Sequence, residues 1–422
     1  MRGRFRVFGN AAIIATLFVV LFSYAMFQGG FVSWFLFFSF LPIFFYLLVF
    51  LFYPMKKWNV TREVTRPIIQ AGDKIDVMLR IKRNIPFPIY YCIVEEVFPV
   101  SLMKADSSTE KYRHMDHPEK RFVERKIKKV VFPGFKRSLA LPYTIEQVPR
   151  GEHQLKGIRV KLSDIFGFVK REHLFHVSNE LIAYPTIRPI TMQEQYQNFE
   201  QGSVSSSSHQ LMNTNVAIGV REYVPGDRFS RIDWKQTARR NNVMTKEFEQ
   251  EKSTDILLIL DSCHYEGMNA LAFEASVELS LSLMNVFRKQ GNQAGLLSIG
   301  AEAVYFQSEQ NAGAQARINH FLARIQPNGE RSFSISVKEE MKQIKAGQMA
   351  IVITTRIDDF FKQSMLQVKR RTKRIAVIFI QATDLISEAE NHAVRQLRYA
   401  GIGVQIMTEQ QLVHNPIEVN IR

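Results

Sequence analysis

Two cysteines, ten histidines and 40 Asp or Glu are the side chains from which catalysis or metal binding would have to be built in this 422-residue chain. The arrangement nearest to a nucleophilic site is Asp261-Ser262-Cys263-His264-Tyr265, which follows an apolar run at 256–260. A thiol at a strand end with a histidine beside it has the parts of a hydrolase, Cys263 as nucleophile and His264 as base. Adjacent positions do not make facing side chains, however, and the glycines of a nucleophile elbow are missing on both sides. His114 and His117, three apart, have a metal-ligand spacing, but no second pair of ligands is nearby. The charge-dense stretch 104–129 around them reads as a solvated loop. P-loop, Cys-x-x-Cys and His-Glu-x-x-His patterns are absent, so nucleotide hydrolysis and zinc chemistry lack residues. The expectation is a protein that binds rather than catalyses, with no cofactor.

A second group of chemically capable residues lies at 220–240. Arg221, Glu222, Tyr223, Asp227, Arg231, Asp233, Trp234 and Arg239 alternate in sign around an aromatic, with Pro225-Gly226 making a turn. Ser230, with Asp233 three residues later, predicts the N-terminal cap of a short helix through Arg240. Seven Lys or Arg against six Asp or Glu between 221 and 251 exclude a polyanion-binding stripe. Alternating signs beside a Trp suggest either a paired, partly buried network that fixes a loop or a charged docking face.

The elements that hold these residues begin with a stretch of another kind. Fourteen of the 33 Phe fall in residues 1–58, together with five Lys or Arg and no acid, which leaves the other residues a net +10 of the chain's +15. From Val7 to Met55 nothing is charged. That run is about twice the roughly 20 residues a helix needs to cross the hydrocarbon core, so it must turn back, and Gln28-Gly29-Gly30 supplies the break. Spans are predicted at 7–27 and 31–53, the second merely kinked by Pro42. Arg2, Arg4 and Arg6 before the pair and Lys56, Lys57 and Arg62 after it place both ends in the cytoplasm by the positive-inside rule. A cleaved signal peptide fails as an account because the second span would still stop transfer. The expected location is the cell membrane, multi-pass, with the N-terminus and the large C-terminal part cytoplasmic.

Beyond the spans, 74–82 alternates apolar and charged residues as a half-buried strand does, and turn signals recur at 71–73, 132–134, 149–151 and 164–167, which suggests a β-sandwich over 59–187. The serine-rich run 202–208 has linker composition, and 188–252 is read as linker plus the charged stretch. Over 253–422, strands at 256–261, 294–299, 350–354, 374–380 and 403–407 alternate with helical pattern such as 270–288, predicting an α/β domain with a mostly parallel sheet. Ligands in such sheets sit at the carboxyl ends of strands, where Asp261 falls. Cys92 and Cys263 are too far apart in sequence to make a disulfide framework. The basic run 369–374 lacks interleaved aromatics for nucleic acid, and membrane lipid accounts more simply for an isoelectric point near 9.7.

The stretch 220–240, with Arg150-Gly151, Asp164 through Gly167 and Tyr184-Pro185 ahead of it, closely resembles the bacterial family called domain of unknown function fifty-eight, described as von Willebrand factor A-like. The resemblance covers nearly the whole chain. It implies a two-helix transmembrane hairpin, a β-sandwich-like domain and a von Willebrand factor A-like domain. It also implies a MoxR-type AAA+ ATPase and a transglutaminase-like membrane protein as partners, and no enzymatic activity attaches to it. The residues carried over are Arg221, Glu222, Tyr223, Pro225, Gly226, Asp227, Arg231, Asp233, Trp234 and Arg239, as a docking face. A-type domains that bind Mg²⁺ place Asp-x-Ser-x-Ser after the first strand, because a carboxylate and two hydroxyls suit a hard cation. Here Cys263 and Tyr265 stand at the serine positions and Arg356 follows Thr354-Thr355, so Asp261, Cys263 and Tyr265 read as a degenerate metal-site remnant. The alternatives are a Mg²⁺-dependent ligand-binding A-type domain and a Cys263-based hydrolase.

Overall fold

The computed structural model describes residues 2–192, 217–224, 229, 232–240, 242–248, 255–307, 311–358 and 360–420. The chain opens with two antiparallel helices, α1 (Arg2–Gln28) and α2 (Phe31–Phe52). They join at Gly29 and Gly30, whose φ angles of 53° and 95° are ones a side chain would disfavour, so the break falls where the sequence placed it. Pro42 lies inside α2 without ending it. At ~1.5 Å per residue the helices are about 40 and about 33 Å long, enough to cross a membrane. They pack through edge-on rings, Phe18 to Phe37 at 5.5 Å, Phe18 to Phe44 at 5.4 Å and Phe22 to Phe37 at 5.7 Å, and leave most of their other large apolar side chains exposed.

Eight strands follow: β1 (Asn59–Val64), β2 (Ile68–Gln70), β3 (Ile75–Lys82), β4 (Tyr91–Val97), β5 (Lys128–Val131), β6 (Ser138–Ile145), β7 (Gly151–Ser163) and β8 (Lys170–Tyr184). They form a three-stranded sheet, β1-β3-β6, and a five-stranded sheet, β2-β8-β7-β4-β5. Burial along β3 alternates residue by residue, as its apolar and charged residues do. Val77, Leu79 and Ile81 share one apolar core with Val94 of β4, Ile158 and Val160 of β7 and Leu181 of β8. A charged group bridges that core. Arg62 of β1 meets Glu96 of β4 at 2.6 Å and donates to the carbonyls of Leu155 and Val177, while the Tyr143 hydroxyl donates to Glu96 at 2.5 Å.

The second unit is built on β12 (Asp255–Asp261), reached through β9 (Ile190–Met192), β10 (Ala217–Glu222), α3 (Trp234–Arg240) and β11 (Met244–Phe248). After β12 come α4 (Ala270–Lys289), β13 (Gln293–Ile299), β14 (Ala303–Phe306), α5 (Ala312–Arg324), α6 (Phe333–Glu339), β15 (Met349–Thr354), α7 (Phe361–Arg371), β16 (Arg374–Ile380), α8 (Glu388–Tyr399), β17 (Gly403–Met407), α9 (Glu409–Val413) and β18 (Ile417–Val419). The six-stranded sheet has the order β14-β13-β12-β15-β16-β17 and is mixed, with four parallel pairings and the edge strand β14 antiparallel to β13. β18 pairs with β9 apart from it. Along β12, Ile256, Leu258 and Leu260 enter the core beneath α4 and α5, whereas Leu257 and Ile259 enter the one beneath α6, α7 and α8. Burial on both faces is why the strand reads as an unbroken apolar run.

α4 is also long and apolar enough for a membrane, but most of it is buried within the protein. Part of that cover corrects the sequence reading. The stretch 104–129 is not simply a solvated loop: His114 and His117 are exposed, while Lys111 and Tyr112 within a 3₁₀ helix and Met115 at its end are buried, the last two in the core under α4. Lys111 Nζ lies 2.8 Å from Asp106 and 3.0 Å from Glu278 of α4, and the Tyr112 hydroxyl donates to Glu278 at 2.9 Å. Arg150 grips Glu274 through Nε at 2.8 Å and Nη2 at 3.0 Å and caps the end of α5 through the carbonyls of Leu322 and Ile325. Arg188 contacts Glu278 at 3.4 Å and donates to the carbonyl of Leu412. The β-rich body is thus joined to the α/β unit by buried charges, each with an opposite charge or carbonyl opposite it.

Candidate functional site

The order of the sheet fixes one site. It reverses at β12, whose neighbour β15 continues the sheet on the other side, so the carboxyl ends of β12 and β15 lie side by side where α/β sheets form a crevice. Asp261 ends the first strand and Thr354 the second, and the Thr354 hydroxyl donates to Asp261 Oδ2 at 2.7 Å. The Tyr265 hydroxyl donates to the same oxygen at 2.8 Å, and the Cys263 backbone N–H donates to Oδ1 at 3.0 Å. Asp261 is wholly buried, and that burial, outweighing the three donors, pushes its carboxyl up to about 6.

These contacts decide what the cluster does chemically. Both Asp261 oxygens are engaged by protein donors, and Ser262 Oγ is turned to Ser298 Oγ at 3.0 Å. The phenol of Tyr265 stands where a cation and its waters would need room, so the residues present do not fit a hard-cation centre. Among the described residues no group of three or more His, Cys, Asp or Glu is placed to hold a metal. The Cys263 thiol lies in the core and donates to the Ile299 carbonyl at 3.5 Å, and burial followed by the Asp261 charge pushes it up to about 12. His264 is exposed, so the residue proposed as base and the thiol lie on opposite sides of the surface. Thr354, which sequence reasoning did not assign, is part of the cluster; only the strand order brings it there.

Above the cluster is an open cleft of about 410 Å³, with Tyr265, Thr355, Arg356, Asp358, Gln381 and Glu390 on its walls. Arg356 holds its guanidinium 5.2 Å from the centre of the Tyr265 ring, closing the floor with a cation–π contact. Asp358 accepts from the hydroxyls of Ser332 and Ser334.

The second site is the charged stretch. β10 and β11 pair antiparallel, with Arg221 opposite Thr245 and Glu222 opposite Met244, and α3 lies between them in sequence. Asp233 caps α3, its Oδ1 accepting from the N–H groups of Lys235 and Gln236 at 3.1 Å, while its own N–H donates to the Met244 carbonyl. The cap is therefore Asp233; Ser230, expected in that role, lies outside the described residues, as do Pro225, Gly226, Asp227 and Arg231. Arg221 donates to the Glu222 carbonyl, and the Glu222 carboxylate accepts from Asn242 at 3.5 Å. Ile232 and Met244 are buried beneath α3, and Arg239 is exposed on it. Tyr223 stacks on Phe229 at 6.2 Å, yet Phe229 is 76% and Trp234 69% exposed. Trp234, Phe229 and Arg239 thus face outward, whereas Asp233 and Glu222 are engaged within the segment.

A protein-family model described as "Protein of unknown function DUF58" matches residues 219–391, from β10 into α8. The uncharacterized protein YeaD of Bacillus subtilis (strain 168) is 32% identical over 406 residues, covering 95% of this chain and 96% of its own, so that likeness includes the helical hairpin and the β-rich body. Among solved structures, the PilB minor pilin from Streptococcus sanguinis aligns over 77% of this chain and 85% of its own at 7% identity and a TM-score of 0.29. The CARDB domain of the PF1109 protein from Pyrococcus furiosus covers 30% of this chain and 92% of its own at 6% identity and a TM-score of 0.18. Likenesses at these scores carry no argument.

Proposed function

The chain belongs to the DUF58 family, and on that premise we propose that it is a non-catalytic, membrane-anchored adaptor that presents the β10–α3–β11 segment as a docking face to a partner protein. The observation that carries this reading is the exposure of Trp234 and Phe229, with Arg239 also exposed on α3. A large aromatic left in water on a short, capped element costs hydrophobic free energy that a partner would recover, and exposed Trp and Arg are the residue types that anchor interfaces.

The remaining parts of the proposal rest on distinct supports. Membrane anchoring is supported by the two long apolar helices, and the cytoplasmic placement of both ends by the basic residues that flank them. A von Willebrand factor A-like character is supported by the sheet order and by an aspartate at the end of its first strand. The MoxR-type AAA+ ATPase, the transglutaminase-like membrane protein and client proteins enter as partners through the family resemblance alone. The Mg²⁺-dependent and Cys263-hydrolase alternatives are weakened by the engaged Asp261 carboxylate and by a thiol held in the core with its proton.

The test is photo-crosslinking of the full chain in native membranes, with the reactive group at position 234 and the captured proteins identified by mass. An AAA+ ATPase captured from 234, and lost when Arg239→Glu is added, supports the reading. Capture unaffected by Arg239→Glu and equally strong from a buried-side position such as 244 refutes it. Charge reversal at Asp233 is not a clean test, because that carboxylate caps α3.

A further inference from the structure

We propose that the end of the β-rich body next to α2 is itself a membrane-contacting surface, with three loops seated in the headgroup and upper acyl layer of an anionic bilayer. This rests on the reading that α1 and α2 cross the membrane, and extends it to a part of the chain with no span of its own.

Strand register gathers the loops. Asn59, at the start of β1 and just beyond α2, pairs with Lys82, which pairs with Ser138; Tyr91 pairs with Ser163, and Ser163 with Lys170. The connections 83–90, 132–137 and 164–169 therefore all emerge at the end from which α2 departs. They also touch it. The Tyr46 hydroxyl donates to the Pro88 carbonyl at 3.1 Å and its ring stacks on Phe87 at 5.4 Å; the Tyr53 hydroxyl donates to the Ile85 carbonyl at 2.8 Å; and Arg171 donates to the Phe50 and Tyr53 carbonyls at the end of α2.

The contact at Tyr46 sets the depth. Tyr46 lies before the last turns of α2, about 9 Å of helix from Phe52 at ~1.5 Å per residue. A helix of about 33 Å crossing a hydrocarbon core of about 30 Å has little length to spare outside it. A loop hydrogen-bonded to Tyr46 then cannot remain in bulk water. The loops are composed for that layer. Ile85, Phe132, Phe135, Ile165, Phe166 and Phe168 are exposed on them, Phe135 by 69%, in the aromatic-rich composition of membrane interfaces. The one acid in the three loops, Asp164, is buried and spends both oxygens on the backbone N–H groups of Phe166 and Val169. Lys136, Arg137 and Lys170 are exposed around the aromatics, where long cationic side chains reach anionic headgroups while their stems stay in the apolar layer.

The experiment uses the full chain reconstituted into vesicles of phosphatidylglycerol and phosphatidylcholine carrying doxyl-labelled chains. An environment-sensitive fluorophore is placed on Phe135→Cys, Phe166→Cys, Phe38→Cys in the middle of α2, and Phe122→Cys, which is exposed in the connection between β4 and β5. Cys92 and Cys263 are buried, so one label per chain reports a folded protein. The expected result is quenching at 135 and 166 of at least half that at 38, strongest with the shallow doxyl position, and none at 122. Quenching at 38 without quenching at 135 and 166 overturns this inference while leaving the spans in place, and would give these loops to a protein partner. No quenching at 38 overturns the membrane reading itself.

Discussion

Replacing Asp261 by asparagine tests whether the strand-end cluster is a closed structural element or a charged site. In the native chain burial raises this carboxyl from an ordinary 3.8 to about 6. A carboxyl that holds its proton more tightly in the folded than in the unfolded state adds stability fully present below its unfolded value. That stability is lost as pH rises through the folded value. The window is therefore about pH 4 to about pH 6, and the amount, for a rise of this size, is about 3 kcal/mol. Asparagine cannot titrate, and the hydroxyls of Thr354 and Tyr265 can rotate to accept from its amide, so Asp261→Asn should keep the cluster while abolishing the dependence. The assay is urea denaturation of the full chain in micelles at a series of pH values, read by pulsed thiol labelling of Cys263, which lies in the core beside the cluster. Native minus variant stability should fall by about 3 kcal/mol between pH 4 and pH 8, and excess Mg²⁺ should leave the curve unmoved. Parallel curves would refute dominance of burial. A difference that rises with pH would mean that the ionised carboxylate is favoured, and a Mg²⁺-dependent inversion would put a cation on it.

Three further outcomes follow from other contacts. Arg150→Ala removes the guanidinium that holds the Glu274 carboxylate near 2 and leaves that carboxylate without its hydrogen-bonded partner; it should cost about 3 kcal/mol and loosen the β-rich body from the α/β unit, seen as new protease cleavage between them. Because Glu274 is held below its usual range, its contribution is present above about pH 4.5 and fades as pH falls toward 2, so the gap between native and variant should narrow in acid. Trp234→Ala should change unfolding by less than about 0.5 kcal/mol, whereas Asp233→Ala should cost about 1 kcal/mol by uncapping α3, a contrast that thermal denaturation measures. A thiol reagent at neutral pH should leave Cys263 unmodified in the native chain and modify it fully in denaturant; rapid native labelling would reopen the hydrolase reading.

What the sequence made legible has a common physical origin. The helical hairpin, β3 and the five parallel strands of the six-stranded sheet are marked by where apolar side chains recur, because burial is what those periods record. β14 escaped notice because four half-exposed residues at a sheet edge carry no such record, and its antiparallel pairing makes the sheet mixed rather than simply parallel. β9 and β18 pair across more than two hundred residues, a contact no local pattern can express. The stretch 104–129 misled for the opposite reason. Its charges were counted as solvent-facing, yet Lys111 is buried against Asp106 and Glu278. A signal was available on the other side of that contact: Glu274 and Glu278 stand four apart in the otherwise apolar first half of α4, and a charge there needs a partner.

The candidate sites divide along the same line. Asp261 was legible as a strand end, and the substitution of Cys263 and Tyr265 into hydroxyl positions was legible as a loss of ligands. The replacement for those ligands was not, because Thr354 arrives from 93 residues away through the adjacency of β12 and β15. Once there, Thr354 and Tyr265 satisfy the carboxylate so fully that a chemically suggestive residue becomes part of the frame beneath a cleft. The charged stretch went the other way. Read as letters, alternating signs beside a tryptophan allow a closed network as readily as an open face. In the structure Asp233 is given to the helix cap and Ile232 and Met244 are buried, while Trp234 and Phe229 stay largely exposed, Phe229 with Tyr223 stacked on it. A side chain that folding does not employ, kept on an element that folding does hold in place, is where a binding partner has the most free energy to gain.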